Sequence, residues 1–325
     1  MPDDSRQPMA TYRLQFNQEF RLTDAQSLVT YFSRLGVTHI YASPLLRARQ
    51  ASTHGYDVVD PTTINPSLGN MADLVGMVTE LRKFGLGLFL DIVPNHMAAS
   101  IENPYWRDVL TYGPSSPFAR WFDIDWRLPD PDMWGRVLVP VLGEPRLRVL
   151  ERDQIRLAWS DGRFLLQYFD HNFPVDPATV PAICVFGWTD LVQCLGPESS
   201  VLDKMRDILT RLKKLPKLVF RLRRQVDIDR EQAEGWLAEF AQLVVQSPTI
   251  QGWAEQTADG FGRGGGRPPP VAETPGQPAV SPGPLAGSGT ANQLSSLLRH
   301  QRPGLGSAGG SARFRRHAHG HSATG

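Results

Sequence analysis

The sequence predicts an α/β fold: a parallel sheet of strand–helix units at the N-terminus, then a β-rich and helical region, then a disordered tail. Three observations carry this. Strand-like segments at 11–16, 39–46 and 86–93, the last an apolar and partly β-branched run, alternate with two segments of helical periodicity, and strand–helix–strand–helix–strand with short returns is the pattern of a parallel sheet. That alternation stops near Ala98, and the composition changes abruptly near Phe261.

TYRLQF (11–16) reads as the first strand. Thr23 with Gln26 three residues on reads as a capping box, and Ala25, Leu28, Val29, Phe32 and Leu35 keep helical spacing up to Gly36, a C-terminal stop. HIYASPLL (39–46) is the second strand, followed by a long polar loop. Leu74, Val75, Val78 and Leu81 mark a second helix closed by Gly85, and LGLFLDIV (86–93) is the third strand. From Ala98 to about Ser200, aromatic-rich loops lead to VLVPVL (137–142) and a hairpin, IRLAWSDGRFLLQYF (155–169). Two amphipathic helices follow, one on Val201, Leu202, Met205, Ile208, Leu209 and Leu212, the other on Ala233, Trp236, Leu237, Phe240 and Leu243. The expected division is 1–97, an inserted region 98–200, a helical segment 201–261 and a tail 262–325.

Apolar residues at 41% and charged residues at 21% are globular values. No stretch reads as a membrane span, the N-terminus has no signal pattern, and Cys184 and Cys194 make neither a disulfide framework nor a zinc site. A cytoplasmic protein without a membrane partner is expected. The net charge of +1 hides an asymmetry: residues 1–261 carry 27 Lys+Arg against 32 Asp+Glu, whereas 262–325 carry seven Arg, no Lys and Glu273 as the only acid. That tail also holds 14 of 29 Gly and 8 of 27 Pro, a composition unable to bury enough apolar surface to order itself. The basic runs around 213–224 read as a solvated helix face and loop, so no nucleic-acid partner is expected.

An open doubly wound sheet and a closed barrel look alike at three strands. No G-x-G-x-x-G follows the first strand, and the unusual polar residues sit just past the strand ends, the catalytic face of a βα-barrel. ASTHGYDVVDP (51–61) gathers His54, Tyr56, Asp57 and Asp60, the carboxylates and aromatic face that hold a sugar; a solvated Gly-containing loop is the plainer reading. DIVPNHM (91–97) presents Asp91, Asn95 and His96, where the plainer reading is a strand end whose Asp bonds backbone amides. FDIDW (122–126) contains a D-x-D that reads as one face of a strand rather than a metal site, and the His317, His319, His321 tract is not read as a metal site either. No metal or cofactor is expected.

Together TYRLQF, YASPLL, STHGYDVVDP, LDIVPNHM, NPYWRDVL and FDIDW resemble the maltooligosyl trehalose synthases of the α-amylase superfamily of glycoside hydrolases, closely from residue 9 to about 145 and more weakly to about 260. The resemblance implies the first three βα units of a (β/α)8 TIM barrel, with a domain inserted after the third strand. It implies an isomerase: an intramolecular transglucosylation that converts the reducing-end α-1,4 bond of a maltooligosaccharide to α,α-1,1. By the same resemblance His96 bonds the ring hydroxyls of the attacked glucose and Tyr56 stacks on it. Asp91 orients a neighbouring Arg, Asn95 braces the loop, and Asp60 supports the Tyr56 loop, with His54 beside them. The family's catalytic carboxylates stand at later strands. Only YFDHNFPVD (168–176) approaches the fourth-strand signature, and it lacks the preceding Arg and the Gly-Leu. The chain is therefore expected to lack both nucleophile and acid. Reading permitted codons of 291–305 and 280–288 from the second base yields strings that resemble the family's next segment, so the tail is expected to be translated out of frame. Two rivals remain: another α-amylase-superfamily hydrolase or transglucosidase, and a non-catalytic maltodextrin-binding fragment.

Overall fold

The computed structural model describes residues 7–131, 134–215, 223–261 and 311–313. They divide into two compact units: the chain to Pro104 with Trp121–Asp123 and Ser311–Arg313, and Tyr105–Arg120 with the chain from Ile124 to Phe261.

The first unit runs β1 (Thr11–Leu14), α1 (Leu22–Ser27), α2 (Val29–Leu35), β2 (His39–Ala42), β3 (Leu46–Ala48), β4 (Val58–Ile64), α3 (Met71–Lys83), β5 (Gly87–Leu90) and β6 (His96–Ala98). β1, β2 and β5 form a parallel sheet in that order, with Leu14 opposite Ala42 and Ala42 opposite Leu90. The three strands are those expected, each trimmed. Side chains alternate across a pleated strand. Leu14, Ile40 and Ala42 enter a core with Leu22, Val29, Phe32, Met77 and Leu81 from the helices. Arg13, Tyr41 and Phe89, partners in register, project from the other face.

Local chemistry moves several boundaries. The first helix opens at Leu22, not behind a Thr23–Gln26 box: Asp24 Oδ2 accepts the Arg21 N–H at 2.7 Å, so the residue three places on is the acid. The helix also breaks at Leu28 and resumes, ending at Gly36 in the left-handed conformation, φ 83°. β2 stops at Ala42: the Ser43 hydroxyl accepts the Phe16 N–H at 2.9 Å, and Pro44 has no donor for a ladder. The expected polar loop contains two strands, β3 and β4, paired antiparallel with register shifts. α3 is capped reciprocally: Asn70 Oδ1 accepts from Ala72 N–H at 2.7 Å, and Asp73 Oδ2 accepts from Asn70 N–H at 2.8 Å.

The second unit runs α4 (Pro104–Tyr112), α5 (Arg146–Glu151), β7 (Ile155–Ser160), β8 (Arg163–Tyr168), β9 (His171–Pro174), α6 (Val180–Leu195), α7 (Ser200–Lys213), α8 (Arg223–Val245) and α9 (Pro248–Gly260). β7 and β8 form the expected hairpin, turning at Asp161 and Gly162 with φ 51° and 73°, and β9 extends it into an antiparallel meander. One core joins the sheet to the helices through Ile155, Phe164, Ile183, Met205, Phe240 and Trp253, so residues on both sides of 200 share it. α6 lies where a β-rich excursion was expected; VPAICVFGWTDLVQCL is apolar on several sides and shows no single helical stripe. Among the described residues, Pro177–Leu195 is the one helix long and apolar enough to cross a membrane, contrary to the reading above. Here Ile183, Cys184 and Leu191 are fully buried in this core. FDIDW is not a strand beyond a single bridge at Phe122, and Asp125 accepts the Arg127 N–H at 2.9 Å.

Two ionic groups are half-buried in this unit. Arg163 pairs with Glu234, which also accepts the Tyr112 hydroxyl at 2.6 Å, and Asp108 accepts from Ser116 at 2.6 Å and Arg230 at 3.0 Å. Burial pushes the Asp108 carboxyl up. Burial opposes it at Glu234 too, but the hydrogen bonds from Arg163 and Tyr112 prevail and hold that carboxyl below its ordinary range.

Most of the tail expected to be disordered lies outside the described residues. Ser311–Arg313, within it, forms β10 and pairs antiparallel with β6.

Candidate functional site

Asp91 stands one residue past the end of β5, with its N–H still bonded to the Ala42 carbonyl of β2 at 3.1 Å. The parallel ladder therefore fixes its backbone. Its Oδ2 accepts three hydrogen bonds: from the Tyr56 hydroxyl at 2.7 Å, the Tyr41 hydroxyl at 3.1 Å and Arg13 Nη1 at 3.2 Å. Arg13 also donates through Nη2 to the Tyr56 oxygen at 3.2 Å, and its guanidinium lies 4.8 Å above the Tyr41 ring. The bond from Tyr56, then, after the opposing cost of desolvation, those from Tyr41 and Arg13 hold the Asp91 carboxyl below its ordinary range. The bond to Asp91 pushes the Tyr41 phenol up.

The loop that delivers Tyr56 is built on one glycine. Gly55 has φ +78°, and a Cβ there would stand 3.0 Å from the Pro44 carbonyl oxygen. Ser52 accepts the Gly55 N–H at 3.0 Å and donates to Asp57, and His54 Nδ1 accepts the Tyr56 N–H at 3.0 Å. The His54 and Tyr56 rings stack with centroids 5.8 Å apart, leaving His54 largely exposed.

Of the residues expected from the sequence, Tyr56 and Asp91 meet directly and His54 adjoins them. Asp60 lies in β4 and accepts from Thr62 N–H and Oγ1 and Thr63 Oγ1 at 2.6–3.1 Å, so its bonds serve its own strand rather than the Tyr56 loop. Against its burial, those bonds hold its carboxyl low. Asn95 is exposed in a turn, and His96 opens β6, half-buried. Among the described residues neither hydrogen-bonds Tyr56 or Asp91. Asp170, the first of the two acids of YFDHNFPVD, sits in the turn between β8 and β9 with its side chain 78% exposed. An Arg beside Asp91 was expected from the sequence but not identified as Arg13, and Tyr41 was missed. Their signal was available: each occupies the alternate position of a strand whose neighbours are apolar.

Chemically, the group offers an aromatic face beside a charge-balanced carboxylate with a fixed cation, suited to a polyhydroxylated ring. Among the described residues no three His, Cys, Asp or Glu gather as a metal site.

Residues 25–139 match the alpha-amylase catalytic domain. Within that class the chain is similar to maltooligosyl trehalose synthase. It is 44% identical over 142 residues to a Mycobacterium tuberculosis (strain H37Rv) protein of that name, covering 42% of this chain and 18% of the relative. An intracellular maltogenic amylase of Bacillus subtilis is 35% identical over 104 residues, covering 31% and 17%. Among solved structures, maltooligosyltrehalose synthase from Arthrobacter ramosus is 38% identical with a TM-score of 0.45, covering 52% of this chain and 21% of that one. This chain thus spans about a fifth of the length of the relatives it matches.

Proposed function

We propose that the N-terminal unit is the opening part of a maltooligosyl trehalose synthase-type isomerase of trehalose biosynthesis, and that Tyr56 and Asp91 hold the glucose unit at the bond to be rearranged. The reaction is an intramolecular transglucosylation from α-1,4 to α,α-1,1 at the reducing end of a maltooligosaccharide. The observation that supports this reading is the 2.7 Å bond joining HGYD to the end of β5. It unites two of the segments that carry the resemblance. Tyr56 stacks on the C–H face of the ring, His96 bonds its hydroxyls when sugar is bound, Asp91 orients the neighbouring Arg13, and Asn95 braces the loop.

Such chemistry is retaining: one carboxylate attacks the anomeric carbon while another, about 5–5.5 Å away, protonates the leaving oxygen. This chain supplies neither, so binding cannot become turnover. Residues from about 262 onward are the product of a changed reading frame, and the protein is cytoplasmic, with no nucleic-acid or membrane partner.

The test is to express the 325-residue chain and incubate it with maltopentaose, with calorimetry against maltotetraose in parallel. No trehalose-ended product should form, and maltotetraose should bind wild type more tightly than Tyr56→Ala. Product above the blank defeats the claim of inactivity, and absence of wild-type binding defeats the site. Sequencing the source DNA across codons 255–270 settles the frame; an uninterrupted single frame with no homologous string in the alternative one ends that part of the proposal.

A further inference from the structure

One guanidinium bridges the two groups of the site. Arg13 reaches Asp91 Oδ2 through Nη1 and the Tyr56 oxygen through Nη2, each at 3.2 Å, and Gln15 Oε1 receives Nη2 as well at 3.4 Å. The arginine fork addresses two oxygens at fixed separation, which a lysine ammonium cannot do. Arg13 projects from the sheet face opposite the core, over the Tyr41 ring, with its side chain 38% exposed.

Consider the site without it. The Tyr56 hydroxyl would keep a single bond to Asp91, about which the ring could swing. Asp91 would be opposed only by two neutral hydroxyls and would draw them less firmly into place. With Arg13 present, the phenol oxygen is held at two points, as donor to Asp91 and acceptor from Arg13. A ring plane held this way is prepared before any ligand arrives.

We infer that Arg13 is a positioning residue for Tyr56, setting the angle at which that ring meets a stacked pyranose. The inference rests on the sugar-binding reading above for its consequence, but its geometry can be read without sugar. The full chain is labelled with 3-fluorotyrosine, the Tyr56 resonance is assigned with Tyr56→Phe, and wild type is compared with Arg13→Met and Arg13→Lys. In Arg13→Met the Tyr56 resonance should broaden or move while those of Tyr112 and Tyr168, in the other unit, stay; Arg13→Lys should restore part of the wild-type signal. Maltotetraose affinity should fall about tenfold in Arg13→Met and recover partly in Arg13→Lys. An unmoved Tyr56 resonance in Arg13→Met overturns the inference. If the Tyr112 and Tyr168 signals collapse in that variant, Arg13→Lys carries the comparison, and a Tyr56 resonance identical to wild type in it overturns the two-point hold. A wild type that binds no sugar while its Tyr56 resonance still depends on Arg13 defeats the sugar-binding reading and leaves the positioning role standing.

Discussion

Tyr56 donates to Asp91 across 2.7 Å, joining a loop residue to the mouth of a parallel strand 35 positions away in sequence. A loop fastened there is part of the sheet's rigid frame, and that fastening is the feature most open to test.

Tyr56→Phe keeps the ring and removes its hydroxyl, whereas Tyr56→Ala removes both. The first should cost maltotetraose binding a few-fold and the second about tenfold, near 1.4 kcal/mol. Calorimetry of both variants checks the order; equal losses would mean that ring stacking is not what binds the sugar.

Glu234 has its carboxyl depressed on folding, so its contribution is complete above its ordinary value of 4.5 and disappears as pH falls through the lower folded value. Glu234→Gln should lower stability by about 2 kcal/mol at pH 7, since it weakens charge-assisted bonds to Arg163 and Tyr112. The gap between wild type and variant should close on acidification below 4.5, followed by thermal melts across pH. Asp108 has the opposite sign: burial raises it, so its penalty is absent below 3.8 and grows as pH rises through its folded value.

Gly187 lies where α6 meets α9. A Cβ there would overlap Thr257 Oγ1 and approach Trp253 Nε1 to 2.6 Å, and that indole already donates to the Gly187 carbonyl. Gly187→Ala should therefore destabilise the second unit by about 1–3 kcal/mol, read as a lower denaturation midpoint in urea. Tryptophan fluorescence should report the same transition.

Asn70 caps α3 with two accepted bonds. Asn70→Ala should cost about 1 kcal/mol, and Asn70→Asp should be close to neutral. Chemical denaturation of both variants separates the cap from any wider effect of the site.

Legibility of the fold followed physical simplicity. β5 announced itself as an apolar run, β1 and β2 as shorter strand-like segments, and Asp161-Gly162 marked its hairpin because that turn demands positive φ at both positions. α6 stayed hidden because apolar residues such as Val185, Phe186 and Val192 lie outside its buried stripe of Val180, Ile183, Cys184, Gly187 and Leu191, so no polar face sets its period. β3 and β4 hid in a polar segment because their pairing is irregular and its outer part, Pro61 to Thr63, is exposed. At the site, Tyr56 was singled out in a polar loop and Asp91 at a strand end. Arg13 and Tyr41 were not, because only strand register brings a residue at 13 beside one at 91. Asp60 was grouped with Tyr56 by closeness in sequence, yet its carboxylate turns to Thr62 and Thr63.

The order β1-β2-β5 leaves the outer side of both flanking strands without a ladder partner among the described residues. Phe89 and Leu90 lie on one of those flanks at 40% and 52% exposure. Unpaired amides beside bare apolar side chains are a template for adding more polypeptide. For anyone handling this protein the consequence is colloidal: particle size should climb with concentration, and dilute, cold preparations should outlast concentrated ones.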